Sequence, residues 1–295
     1  MIKSSYQLCK LFGIPIKLDI SLIILLFLFI RGYDNPVYGL AAGILLLVSI
    51  TLHELGHSLT SIAFGCRVHD ITLMIIGGRA TLESMPRKYW QEFLVAIAGP
   101  AVSLALGLTG IFAPFYFHRA GLATPQMANF LMESVGFLNL ALFGFNLLPA
   151  FPMDGGRILR SALQIRMSKL RATWVASRIG RVLAVIMIVC ALCNILGINL
   201  PKPPVQGVAG ELIWHFLSGG TFIKFLIGLM IYSAADREYR MVMMEEGAAR
   251  KNPFAGFPFF GSSTRTPPPD DGQAVVSPPP YSRGGGTRVD VRKAD

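Results

Sequence analysis

Charge is scarce in this chain: of 295 residues only 15% are charged, and acidic side chains, at 17 against 27 lysines and arginines, are the scarcer kind. Together with 53% hydrophobic residues, that scarcity excludes the balance of an ordinary soluble domain and points to a membrane protein. Cysteine is scarce too, and its four copies are too scattered for a disulfide framework. Cys9 and Cys66 fall on the side read below as cytosolic, and Cys190 and Cys193 sit at helical spacing in an apolar run where packing accounts for them. Aromatic residues are not interleaved with the basic ones in any single patch, so a net charge of +10 calls for no nucleic acid. Carboxylates and histidines aligned across several apolar stretches are also missing, which argues against a metal transporter.

What is present is apolar sequence in long runs. A crossing takes about 20 apolar residues, and the stretches 18–30, 37–64, 93–117, 130–148, 182–198 and 212–232 are candidates, the first borrowing residues 14–17. No small-residue cleavage site follows Ile30, so the first stretch reads as a span and not as a signal peptide. The fold class expected is an all-α polytopic membrane protein with about six transmembrane helices. Lysine and arginine crowd one set of connections: Lys3, Lys10 and Lys17, then Arg67 to Lys88, then Arg157 to Arg181, then the tail. The opposite connections carry little beyond Arg31, Arg119 and Lys202. By the positive-inside rule both termini are cytosolic.

Inside the second stretch stands His53-Glu54-Leu55-Gly56-His57. Residues four apart on a helix share a face with a rise of about 6 Å, so the two imidazoles can share one metal ion. Glu54 projects beside them, placed to take a proton from water as in the H-E-x-x-H arrangement. Ionisable groups in so apolar a setting are costly unless they face a polar interior, which makes this a site and not an ornament. The fourth stretch ends in Asn146-Leu147-Leu148-Pro149-Ala150-Phe151-Pro152-Met153-Asp154-Gly155-Gly156. Its prolines forbid a regular helix and its glycines permit unusual backbone, which survives at membrane depth only under cover of protein or a water-filled cavity. The inferred topology brings this break to the same membrane face as His57, where Asp154 can complete a zinc site with one position left for water.

These residues resemble the site-2 protease family of intramembrane zinc metalloproteases. The resemblance rests on His53 to His57, on Asn146 to Gly156, on Ala98-Gly99-Pro100-Ala101, on Phe64-Gly65 with Gly77-Gly78, and on Gly13-Ile14-Pro15-Ile16. With room for neither an inserted PDZ domain nor a CBS pair, the chain is similar to the compact subgroup. The resemblance implies one zinc ion per chain held by His53, His57 and Asp154 near the cytosolic side, Glu54 as the catalytic carboxylate, and Asn146 as a residue holding substrate or oxyanion. It also implies transmembrane protein substrates in a lipid bilayer, in the manner of regulated intramembrane proteolysis, and a bacterial plasma membrane is compatible with it. Asp19 stands where relatives often show histidine and is given no role.

Between the second and third stretches, Asp70 to Ile76, Gly77-Gly78 and Arg79 to Leu82 read as a small β-hairpin, an edge on which an unwound substrate could be added as a strand. The domain organisation expected is a membrane metalloprotease domain over 1–236, a juxtamembrane segment over 237–260, and a disordered Pro/Gly-rich cytosolic tail over 261–295, in which Pro278 to Tyr281 matches a WW-ligand pattern. The alternative of another class is a zinc-binding membrane scaffold without hydrolysis; Glu54 argues against it, because a structural zinc site takes a fourth protein ligand and no general base.

Overall fold

The computed structural model describes residues 5–74, 77–82, 88–198 and 221–251. Two strands open the chain, β1 (Ser5–Leu11) and β2 (Ile14–Asp19), followed by helices α1 (Leu22–Gly32) and α2 (Pro36–Ala63). Strands β3 (Val68–Met74) and β4 (Gly77–Leu82) come next, then α3 (Tyr89–Arg119), α4 (Gln126–Asn146), α5 (Asp154–Leu163), α6 (Lys169–Ile195) and α7 (Thr221–Lys251).

Four of these helices, α2, α3, α4 and α6, are long and apolar enough to cross a membrane among the described residues. Their burial is that of a bundle in lipid. Ile44, Val48, Phe112, Phe137 and Val189 face outward, while Gly43, Ser49, Ser58, Ser103 and Ala184 are buried. Lipid offers no hydrophobic drive between helices, so they associate through close backbone approach and interhelical hydrogen bonds. At Gly110 a Cβ would stand 2.3 Å from the Gly136 backbone nitrogen, which puts α3 and α4 in backbone contact. Asn139 of α4 donates to Ser49 Oγ of α2 at 2.8 Å, with both residues buried.

The start of the chain departs from the all-helical expectation. The first span is expected to borrow residues 14–17, but Ile14 and Ile16 are buried and alternate with Pro15 and Lys17, the period-two pattern of a strand, and with Leu18 and Asp19 they form β2. What remains is the 11-residue α1, about 16 Å long at 1.5 Å per residue and short of a bilayer core by itself. The sheet is correspondingly larger than a hairpin: four strands in the order β1-β2-β3-β4, with the central pair β2 and β3 parallel and the outer pairs antiparallel. Lys17 and Asp70 join that central pair across 2.5 Å. Burial tends to raise the Asp70 carboxyl, but the Lys17 ammonium and the hydroxyls of Thr81 and Thr72 outweigh it and hold the group below its ordinary value.

One face of the sheet packs on α2. Ile14, Ile16, Ile71 and Leu73 form a single cluster with Ile50 and Leu55, the α2 residues that flank and interrupt the histidine pair. The sheet is thereby fixed beside the motif. Residues 212–220 of the sixth expected span, and the whole tail beyond Lys251 including Pro278 to Tyr281, lie outside the described residues.

Candidate metal centre

Three side chains from two elements meet at one point. His53 and His57 lie one turn apart on the inner face of α2, and Asp154 is the first residue of α5, directly after the irregular stretch that follows α4. All three are buried, at 3%, 7% and 8% exposure, deep enough that three polar groups must satisfy one another or a ligand. His53 Nε2 and His57 Nε2 each lie 3.1 Å from Asp154 Oδ2 and 3.2 Å from each other.

The far side of each ring fixes what the near side can do. His57 Nδ1 lies 2.6 Å from the Val95 carbonyl, which can only accept, so Nδ1 carries the hydrogen and Nε2 presents a lone pair. His53 Nδ1 pairs with Ser103 Oγ at 2.9 Å, a hydroxyl that can accept as the carbonyl does, so that His53 Nε2 is the nitrogen left facing the cluster. Lone pairs of two imidazoles and a carboxylate oxygen aimed at one another repel unless a cation lies among them. Ligand atoms about 2.0–2.1 Å from a tetrahedral zinc stand about 3.3 Å apart, close to the separations of 3.1, 3.1 and 3.2 Å found here. The geometry and donor set fit a single metal ion.

Helix α3 makes the site by closeness as well as by hydrogen bonds. A Cβ at Gly99 would fall 2.2 Å from His57 Nε2 and 2.7 Å from His53 Nε2, in the space between the two donor atoms. A Cβ at Gly56 would stand 3.0 Å from the Ala98 carbonyl, so the glycine inside the histidine motif lets α3 come this near. Only glycine at both positions leaves the cradle open.

Glu54 is one residue from His53 and differs from the cluster in its surroundings. It is half-buried, makes no hydrogen bond among the described residues, and lies against β4, where a Cβ at Gly78 would come 2.4 Å from its Cγ and 3.0 Å from its Oε1. Asn146 closes α4 and is not part of the cluster: its amide nitrogen donates to the Leu142 carbonyl of its own helix at 3.0 Å, and none of its hydrogen bonds reaches His53, Glu54, His57 or Asp154. The cysteines are free, and no metal-ligating group forms around them among the described residues. Lys224, inside the sixth expected span, is buried and its Nζ has no hydrogen-bond partner.

Val95, Ser103 and the contact role of Gly78 were not singled out from sequence. A backbone carbonyl carries no residue signature, and one serine in a helix gives none either. A buried ionic group also went unseen: Arg160 of α5 reaches Glu92 of α3 and Glu238 of α7. Its members are 68 and 78 positions apart, a separation at which nothing local marks a pair.

Comparison with known proteins bears on what this centre belongs to. The sequence profile of peptidase family M50 matches residues 41–123 and 113–188, a region holding the histidine pair, α3, α4 and Asp154. A zinc metalloprotease of Methanocaldococcus jannaschii is 35% identical over 243 residues, covering 82% of this chain and 62% of that one. A Synechocystis chain named as a candidate zinc metalloprotease is 35% identical over 253 residues, covering 80% and 60%. The chain thus spans about three fifths of the length of these relatives. Among solved structures, the site-2 protease from Methanocaldococcus jannaschii superposes with a TM-score of 0.55 at 33% identity, over 80% of this chain and 95% of that one. With profile, relatives and fold in agreement, the chain belongs to peptidase family M50, the site-2 protease family of metalloproteases.

Proposed function

We propose that this protein is a zinc-dependent intramembrane endopeptidase that hydrolyses peptide bonds of transmembrane protein substrates within or near the membrane. His53, His57 and Asp154 hold the zinc, and Glu54 is the general base. The observation that carries this reading is the contrast inside α2: two histidines buried in a three-ligand cluster, and between them in sequence a partly buried carboxylate without a hydrogen-bond partner among the described residues. A structural zinc site closes its coordination with four protein ligands, whereas three ligands beside a free carboxylate suit hydrolysis.

Zinc bound there supplies Lewis acidity, polarising a peptide carbonyl and lowering the pKa of water. Val95 and Ser103 hold the imidazoles in the orientation that directs Nε2 inward, so the ligands need not reorganise. Glu54 takes the proton of the attacking water and delivers it to the leaving amine. Asn146 carries two amide hydrogens; the Leu142 carbonyl engages one, and the other is assigned to the substrate oxygen as negative charge develops. A transmembrane helix hides its carbonyls in internal hydrogen bonds, so the substrate must unwind before it is cut. The outer edge of β4, unpaired among the described residues, belongs to the strand whose Gly78 lies against Glu54, and it can receive such an unwound stretch as an added strand. The site then lies toward the cytosolic face of a plasma membrane, with both termini in the cytosol.

The test is co-expression with tagged single-span substrates, comparing the wild type with Glu54→Gln. The wild type is expected to cleave, and the variant to lose roughly 10²–10⁴-fold in rate while keeping its zinc, the usual range for a general base. Cleavage that persists in Glu54→Gln, or in the wild type stripped by a chelator, would contradict the proposal. A wild type that binds zinc and cleaves nothing would favour a scaffold.

A further inference from the structure

Along one side of α3 stand Glu92, Val95, Gly99 and Ser103, each three or four residues from the next. Val95 and Ser103 hold the two histidines, and Gly99 makes room between them. Glu92 completes the row by binding Arg160, six residues beyond Asp154 on α5. All three proposed metal ligands are therefore referred to one helix, two directly and the third through a guanidinium.

We propose that Arg160 is the positioning residue for the Asp154 carboxylate, and that through Glu238 it makes the C-terminal helix α7 part of the metal site. The inference rests on the reading of His53, His57 and Asp154 as metal ligands. Arg160 is 4% exposed and each of its three guanidinium nitrogens donates to a carboxylate. Nε donates to Glu92 Oε1 at 3.0 Å, Nη2 donates to the same oxygen, and Nη1 donates to Glu238 Oε1 at 2.5 Å. Its Cζ also lies 5.1 Å from the centre of the buried Phe151 ring, three residues before Asp154. The group thus grips the chain on both sides of the ligand: the irregular stretch ahead of it through Phe151 and the helix after it through its own backbone. Only arginine offers a planar fork that can serve two carboxylates and stack on a ring at once.

The local turn does not do this work alone. Gly155 packs its own stretch, with a Cβ there falling 2.2 Å from the Leu148 carbonyl oxygen, which shapes the turn without tying it to α2. Among the described residues, the side chain of Asp154 hydrogen-bonds only to the two histidines. The ion pair that links α5 to α3 is Arg160–Glu92, and the one that links it to α7 is Arg160–Glu238. Other ion pairs join α7 to α6, Asp236 with Arg181 at 3.4 Å and Glu245 with Lys169 at 2.9 Å, and these do not touch α5.

That separation supplies the experiment. Glu238→Gln leaves Arg160 paired with Glu92 and removes a carboxylate whose side chain is 26% exposed, so no buried charge is stranded. Arg160→Lys keeps the charge and loses the fork. Asp236→Asn loosens the same α7 at another point. Each full-length protein, purified in detergent and checked for helicity and monodispersity, is titrated with Zn2+ against a chelator and loaded with Co2+ to record the visible spectrum of the metal. Glu238→Gln and Arg160→Lys are expected to weaken zinc binding about tenfold and to alter the Co2+ spectrum, as loss of outer-shell support does, with Asp236→Asn unchanged. Wild-type affinity and spectrum in both Glu238→Gln and Arg160→Lys would overturn the inference, as would an equal loss in all three variants, which would mean general docking of α7. A wild type that takes up no zinc would instead overturn the metal reading beneath it.

Discussion

Replacing Gly99 with alanine is expected to abolish stoichiometric zinc binding, and with it all proteolysis. The added methyl carbon would lie 2.2 Å from His57 Nε2, 2.6 Å from His57 Cε1 and 2.7 Å from His53 Nε2, inside van der Waals contact of the atoms that would bind the ion. Neither ring can yield cheaply. His57 is held from behind by the Val95 carbonyl at 2.6 Å and His53 by Ser103 at 2.9 Å, so turning either away breaks a buried hydrogen bond. Moving α3 outward is no easier, because the helix meets α2 at Gly56 and α4 at Gly110 in backbone contact. Disturbing the outer support of a metal site costs about 10–100-fold in affinity, and displacing the donor atoms themselves should exceed that. Metal analysis of the purified variant checks it: the expected result is a folded, helical chain with zinc far below that of the wild type. Full zinc occupancy in Gly99→Ala would show that the donors do not converge where α3 abuts them.

The second large effect separates chemistry from metal. Gly78→Ala should keep zinc and lose catalysis, because its methyl would fall 2.4 Å from Glu54 Cγ and 2.9 Å from its Cδ, and all three of its nearest atoms belong to that glutamate and none to a ligand of the cluster. Its backbone is not in the left-handed region, so alanine is tolerated by the strand itself and the strain passes to the glutamate. Glu54 has no hydrogen bond among the described residues to hold it, so it is expected to swing aside. A displacement of about 1 Å in a reacting group can cost 10²-fold, so kcat is expected to drop by roughly that factor with zinc content unchanged. The readout is cleavage of a tagged single-span substrate beside metal analysis of the same preparation. Unchanged kcat would mean that the carboxylate's position against β4 is irrelevant to the reaction. Loss of zinc would mean that β4 supports the metal and not the base.

The two glycine predictions also mark how far the sequence could be read. His53, His57 and Asp154 were legible because their chemistry is carried by residue type: imidazoles four apart in an apolar helix are suited to a shared metal ion, and two prolines just ahead of an aspartate break the preceding helix and bring the carboxylate in on a new element. The long helices α2, α3 and α4 fall close to the stretches read from hydropathy because lipid requires about the same length of each. The N-terminal strands were missed for the opposite reason. Ile14, Ile16 and Leu18 are apolar enough to extend a hydrophobic run, and the alternation that makes them a strand is only six residues long. The parallel pairing of β2 with β3, more than fifty positions away, has no local trace at all. Gly78 and Gly99 were visible as glycines within motifs, but what each one leaves room for is a three-dimensional fact. So is the meeting of Arg160 with an acid on α3 and another on α7.

The claim on which the rest depends is that two nitrogens of α2 and one oxygen of α5 share a metal ion. X-ray absorption at the zinc edge on the purified wild-type protein measures this directly. The account predicts one zinc per chain with two imidazole nitrogens and carboxylate oxygen at about 2.0–2.2 Å, and loss of that signal in the chelated sample. A protein that retains no zinc, or a spectrum dominated by sulfur ligands at about 2.3 Å, would contradict it.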